Sequence, residues 1–332
     1  MPTSERVDPA PRALVWLAIL ILYVVWGSTY LGIRVAVESI PPFVMASVRF
    51  FLAGVIMLGA IALIQRRSFV RPSRVELRDS FIVGALLLGG GMGAVAWGEQ
   101  TIPSGIAALL ITLMPVWVAV FGRVFFGERL PLVAWAGVSL GLVGVAILVW
   151  PSIAIDGSLD PAGVVALLIS PISWAAGSVF ASHSARLPRD PFVTTGIQML
   201  SGALVLGAVS VATGELAGFD PSAVTSDSLV ALAYLTLVGS LVAFTAYAWV
   251  LHHAPLPLIA TYAFVNPVVA VILGSIVLNE TITPLQVVAG SVIVVGVALI
   301  ILSRSRMASA HEDVRPVPAG ARDSEKVQPT PA

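Results

Sequence analysis

Nine stretches of this chain, each about 20 residues long, carry no charged side chain at all: 13–33, 80–98, 102–122, 130–155, 161–182, 191–214, 228–251, 254–279 and 281–303. A tenth apolar stretch, 43–64, holds only Arg49. About 20 consecutive apolar residues are what an α-helix needs to cross the hydrocarbon core of a bilayer. Membrane strands are shorter and alternate apolar with polar residues, whereas here whole segments are apolar. The chain therefore reads as an all-α integral membrane protein with ten transmembrane helices.

Composition agrees. Only 11% of the 332 residues are charged and 58% are hydrophobic, against about 25% charged in ordinary soluble domains. That excludes a soluble enzyme, a disordered protein and a nucleic-acid binder. The absence of cysteine excludes disulfides, thiol chemistry and cysteine metal sites. Arg6 and Arg12 precede the first apolar run, as in a signal peptide, but the run is long and lacks a small-residue cleavage site. It reads as an uncleaved first span after a short tail, 1–12. The end of the chain, 304–332, is rich in Pro, Ala and charge and reads as a disordered tail.

The formal net charge of zero hides an asymmetry. Alternate loops collect the arginines: Arg66, Arg67, Arg71, Arg74 and Arg78 in one, Arg123, Arg129, Arg186 and Arg189 in others, and Arg304 and Arg306 after the last span. The intervening loops hold no Lys or Arg. They carry Glu38, Asp156, Asp160, Glu215, Asp220, Asp227 and Glu280. Because cytoplasmic loops collect Lys and Arg, the chain is expected to lie in the cell (inner) membrane with both termini cytoplasmic.

The sequence also repeats. At an offset of 152, Trp97, Pro103, Pro115, Gly122, Glu128, Ser139 and Gly144 match Trp249, Pro255, Pro267, Gly274, Glu280, Ser291 and Gly296. Earlier in each half the offset is 148, pairing Trp26 with Trp174, Gly54 with Gly202 and Gly59 with Gly207. The halves, 13–150 and 151–303, hold five spans each. An odd number places the second half upside down, giving two inverted five-helix repeats, a recurrent architecture of secondary transporters. Two like halves of opposite orientation can exchange conformations and so open one side and then the other.

Candidate site residues follow from that doubling. Pro115 and Pro267 interrupt the fourth and ninth spans at matched positions. Each removes a backbone donor and frees the carbonyl four residues earlier, that of Ile111 or Ala263. Such interruptions either line a wet cavity or merely kink a packed helix. Asn266 and Tyr262 lie one turn apart beside Pro267, as a site or as an interhelical hydrogen bond. Tyr23, Trp26, Tyr30 and Arg34 share one face of the first span, and Ser170, Ser173, Trp174 and Ser178 share one of the sixth. Trp26 and Trp174 are repeat mates, as are Tyr30 and Ser178. Ser240, Phe244 and Tyr247 form a weaker stripe in the eighth span.

Arg49 enters its span by about seven residues. It is expected either to snorkel outward toward Glu38, the favoured reading, or to meet solute. Glu99 closes the third span, as an interfacial acid or as a coupling or charge partner. Gly89-Gly90-Gly91-Met92-Gly93 resembles a phosphate loop but has no flanking strand and no Lys-Ser/Thr, so close helix approach explains it better. Glu128 and Glu280 end spans before tight turns and look architectural. His183, His252, His253 and His311 have no metal-chelating spacing. No nucleotide motif supports an ATPase subunit, and no cofactor is implied.

The stretches WGSTYLGIRVAVESIPPFVMASVRFFLAG (26–54), TIPSGIAALL (101–110), FGERLPLVAWAG (126–137), ISWAAGSVF (172–180) and ATYAFVNPVVAVILG (260–274) together resemble the EamA family of the drug/metabolite transporter superfamily, closest to bacterial inner-membrane exporters. The resemblance implies a central cavity among spans one, three, four, six, eight and nine. It would be lined by Trp26, Tyr30, Trp97, Pro115, Trp174, Ser178, Tyr247, Tyr262 and Asn266. It also implies a solute such as an amino acid or related metabolite, moved outward. A membrane-embedded enzyme acting on a lipid or quinone is the alternative. It would need His, Asp or Glu clustered at one interface, whereas the paired stripes lie inside spans of both halves.

Overall fold

A computed structural model describes residues 11–64, 70–128, 131–154, 157, 159–250, 253–254, 256–259 and 261–313. Arg6, Arg66, Arg67, Arg129, Asp156, His252 and Pro255, and most of both tails, lie outside these residues. Every span expected from hydropathy is helical. Eight are long enough and apolar enough to cross a bilayer alone: Arg12–Ala36, Pro42–Ile64, Arg74–Gly98, Ser104–Phe126, Pro161–His183, Pro191–Ala212, Ser226–Val250 and Pro284–Ser303. The fifth and ninth spans are the shorter apolar helices Leu132–Leu148 and Val265–Leu278. At about 1.5 Å per residue, 23 residues reach about 35 Å, enough for the hydrocarbon core.

The last helix continues to Asp313, ten residues into the segment read as a disordered tail. Its sequence there, RSRMASAHED, contains neither Gly nor Pro and is rich in Ala, Arg and Met, which sustain a helix without tertiary help.

Outward faces are apolar throughout. Trp16, Leu20, Phe51, Ile64, Phe125, Leu204, Val230 and Ile276 are all exposed, a surface that only lipid would tolerate. Inside, one core joins the first, second, third, seventh and eighth spans around Phe50, Met45, Met199 and Leu235. Another joins the fourth, fifth, sixth and tenth around Ile102, Leu110, Leu167 and Ile293.

Packing partners obey the two-repeat exchange. The third span lies on the sixth as the eighth lies on the first, and the fourth on the sixth as the ninth on the first. The second and seventh, the fifth and tenth, and the fourth and ninth pair with their own counterparts. Glycine permits the closest of these approaches. A Cβ on Gly296 would lie 2.7 Å from the Gly137 carbonyl oxygen, and one on Gly137 would lie 2.5 Å from that of Gly296. The glycine run of the third span serves the same purpose against the sixth, since a Cβ on Gly90 would lie 2.2 Å from Ser173 Oγ.

The spans that approach the middle are irregular. The fourth stops at Ile111 and restarts at Met114, with Pro115 in the first turn of the new helix, where its missing N–H is not needed. In the ninth, Pro267 lies inside a continuous helix, Tyr262–Leu278. The helix begins only at Tyr262, after a turn at Thr261. Wide π-helical turns occur at Leu22–Trp26, Ala85–Met92 and Leu235–Val242, the last two at corresponding places in the repeats. Such turns leave carbonyls without an ordinary partner and often mark functional segments.

Candidate transport site

The irregular segments surround a cavity of about 120 Å³, close to the size of an engineered apolar cavity that takes up benzene. The first span contributes Trp26, Thr29 and Tyr30, and the sixth contributes Ser170 and Trp174. Thr112, Met114 and Pro115 come from the fourth span, and Tyr262, Asn266 and Pro267 from the ninth. Leu88, Met92 and Val95 of the third and Phe244 of the eighth close the wall, while Arg49 and Phe50 enter from the second. A wider groove among the fourth, ninth and tenth spans runs past Val268, Ile272 and Val287, all exposed, and opens to the lipid side.

Trp26 centres an aromatic cluster. Its ring meets Tyr262 edge-on at 5.0 Å and Phe244 at 5.5 Å, and lies 5.3 Å from Tyr247. Such contacts fix ring orientation and hold the wall in shape. Thr29 donates from Oγ1 to the Trp26 carbonyl at 2.7 Å, absorbing a carbonyl that the wide turn leaves available. The Asn266 amide, in the orientation that satisfies both its ends, donates to the carbonyls of Tyr262 at 3.1 Å and Tyr23 at 3.2 Å. It therefore ties the ninth span to the first. Ser170 Oγ is buried and has no hydrogen-bond partner among the described residues.

Of the nine residues expected at the cavity, Trp26, Tyr30, Pro115, Trp174, Tyr262 and Asn266 line it. Tyr247 stands one layer behind, against Trp26 and Tyr262. Ser178 turns back on its own helix, donating to the Trp174 carbonyl at 2.8 Å. Neither it nor Trp97 reaches the wall.

Arg49 does not snorkel. It is 3% exposed, its Nε donates to Ser240 Oγ at 3.0 Å, and its guanidinium lies 4.8 Å from the Phe50 ring centroid. Ser240 holds it inward, so the weak stripe noted in the eighth span was the available signal. Thr112 and Phe50 sat in apolar runs and gave none.

Glu99 is fully buried just past the third span, and among the described residues neither carboxylate oxygen has a hydrogen-bond partner. Burial pushes its carboxyl well above the ordinary range; Glu280 pushes the same way, while Arg34 and Arg49 oppose. Arg34 donates to the backbone carbonyls of Glu99 and Gln100. The Glu280 carboxylate accepts from Ser104 N at 2.8 Å, Ser104 Oγ at 3.0 Å and Gly105 N at 3.2 Å, capping the fourth span. Among the described residues no group of three His, Asp or Glu could hold a metal.

A bundle of ten apolar helices in two exchanged halves, enclosing a small aromatic cavity where the halves meet, defines a multi-pass membrane protein of the transporter class. Comparison with known proteins agrees: the model of the EamA-like transporter family matches residues 13–150 and 161–302, and the chain belongs to that family. It is 38% identical over 290 residues to the uncharacterized inner membrane transporter YedA of Escherichia coli K12, covering 86% of this chain and 90% of the relative. It is 27% identical over 301 residues to a probable amino-acid metabolite efflux pump of Salmonella typhimurium, covering 83% and 90%. A protein of known crystal structure, 21% identical, shares the fold with a TM-score of 0.60 over 90% of this chain and 99% of its own. Family membership places the chain among transporters, not enzymes.

Proposed function

We propose that the protein is a secondary transporter or facilitator that moves a small metabolite, an amino acid or related compound, outward across the inner membrane by alternating access. Both termini would be cytoplasmic, and no ATPase subunit takes part. One observation carries the reading: the cavity is walled by repeat mates, Trp26 with Trp174 and Pro115 with Pro267. A site shared symmetrically by two inverted halves is reached from either side as the halves exchange conformations. The arginine-rich and acidic loop sets support the orientation. The efflux-pump relative supports the solute class and direction.

The test is flux into liposomes holding the purified protein, screened with labelled amino acids and small metabolites. Saturable, protein-dependent counterflow of at least one solute is expected. No flux of any tested class, together with turnover of a lipid, overturns the reading.

A further inference from the structure

Arg49 is the one charged residue on the cavity wall among the described residues. A guanidinium inside a membrane span costs about 2.5–3.5 kcal/mol on insertion scales, so its presence needs a reason. It has five N–H donors and stays protonated. The Nε–H goes to Ser240, and the four donors on Nη1 and Nη2 have no acceptor among the described residues. Among the described residues no carboxylate forms an ion pair with it. Glu99 acts on it only through space, because neither Glu99 carboxylate oxygen takes a hydrogen bond among the described residues.

The rest of the wall is apolar or neutral. It offers aromatic faces from Trp26, Trp174 and Phe244, the Asn266 amide and the hydroxyl of Ser170. A cationic solute would meet like charge with no acid to receive it. A doubly charged phosphate ester would leave one charge uncompensated in a space of about 120 Å³. A single carboxylate matches the planar fork of the guanidinium.

Resting on the transporter reading above, and narrowing its solute to relatives of amino acids that lack the ammonium, we propose that the solute is a small organic monoanion, a carboxylate on an apolar or aromatic body. Its carboxylate pairs with Arg49, and its body packs against Trp26, Trp174 and Phe244. Ser240 is then a positioning residue, holding the guanidinium toward the cavity.

Benzoate, benzamide and benzamidine are nearly isosteric rings bearing negative, neutral and positive groups. Calorimetric titration of the full chain in detergent with each reads the charge preference directly. Benzoate is expected to bind at least about tenfold more tightly than benzamide, as a charge-assisted hydrogen-bond pair implies; benzamidine should give no binding heat. Arg49→Gln should bring benzoate level with benzamide, and Arg49→Lys should keep the order with a smaller ratio. Because Arg49→Gln removes a buried group, Ser240→Ala gives a second reading: benzoate weakens severalfold while benzamide is unchanged. Equal binding of the three probes, absence of binding by all of them, or a preference that survives Arg49→Gln overturns the proposal. Labelled-benzoate flux in liposomes separates the two claims. Charge-ordered binding without any flux supports the site and counts against transport. Flux of other solutes with no charge order leaves transport standing and sinks the site.

Discussion

Glu280 follows the ninth span in sequence, yet its carboxylate acts on the fourth. Three donors at the start of Ser104–Phe126 converge on it, where the helix dipole favours negative charge. Glu280→Ala leaves those N–H groups without an acceptor and should cost about 1–2 kcal/mol, read as a lower midpoint of thermal unfolding in detergent. Glu280→Gln, which keeps one acceptor, should lose less; equal losses would remove the cap from the account. Asn266→Ala frees the buried carbonyls of Tyr23 and Tyr262 and should cost about 1–3 kcal/mol, again by thermal unfolding, together with a fall in flux. Unchanged flux in correctly inserted protein would take Asn266 off the site. Six cavity residues were legible in the sequence because repeat mates and one-turn spacing single them out. Arg49 was misread because hydropathy gives depth in the membrane but not rotation. The group that turns it inward, Ser240, is 191 residues away.

Helix interruptions were legible as elements but not in detail. Proline announced a break in both the fourth and the ninth span. Only in the fourth does it fall beside the proline, where Thr112 and Leu113 carry the turn between Ile111 and Met114. In the ninth, the helix begins only at Tyr262, and neighbouring helices absorb Pro267 within its continuous length, as membrane packing allows. The wide turns have no sequence signature at all, since their residues are ordinary helix formers. Glycine positions were more informative, and they make opposite predictions according to what stands over them. Gly296→Val places atoms on the backbone of Gly137 and Gly141. It should part the fifth and tenth spans, seen as loss of monodisperse protein in size-exclusion chromatography. Gly59 has nothing within 4 Å, so Gly59→Ala should be neutral or stabilising by up to about 1 kcal/mol. A damaging Gly59→Ala, or a harmless Gly296→Val, would show that this packing is wrong.

For the whole molecule, side-chain contacts sort the loops into two sets. At one end, Arg186 N donates to Asp79 Oδ2 at 2.8 Å, and Glu128 Oε1 lies 3.1 Å from His183 Nε2. At the other, Thr101 Oγ1 donates to Asp160 at 3.1 Å, Phe43 N to Glu215 at 3.0 Å and Thr225 N to Ser39 Oγ at 3.0 Å. No contact among these joins one set to the other. The division coincides with the arginine-rich and arginine-free loops of the sequence, so charge and packing give the same two faces independently. The arginines predict which face meets the cytoplasm, because basic loops resist translocation. The chain has no cysteine, so single cysteines report sidedness without background. Ser222→Cys, in an exposed outer-set loop, should react with a membrane-impermeant maleimide on intact cells. Val70→Cys, 83% exposed next to the arginine cluster, should react only after permeabilisation. The reverse pattern would invert the molecule, and with it the direction of transport inferred for the cavity. Labelling of both sites from one side would break the inverted pairing of the repeats, because an odd number of spans per half requires the two loop sets to face opposite compartments.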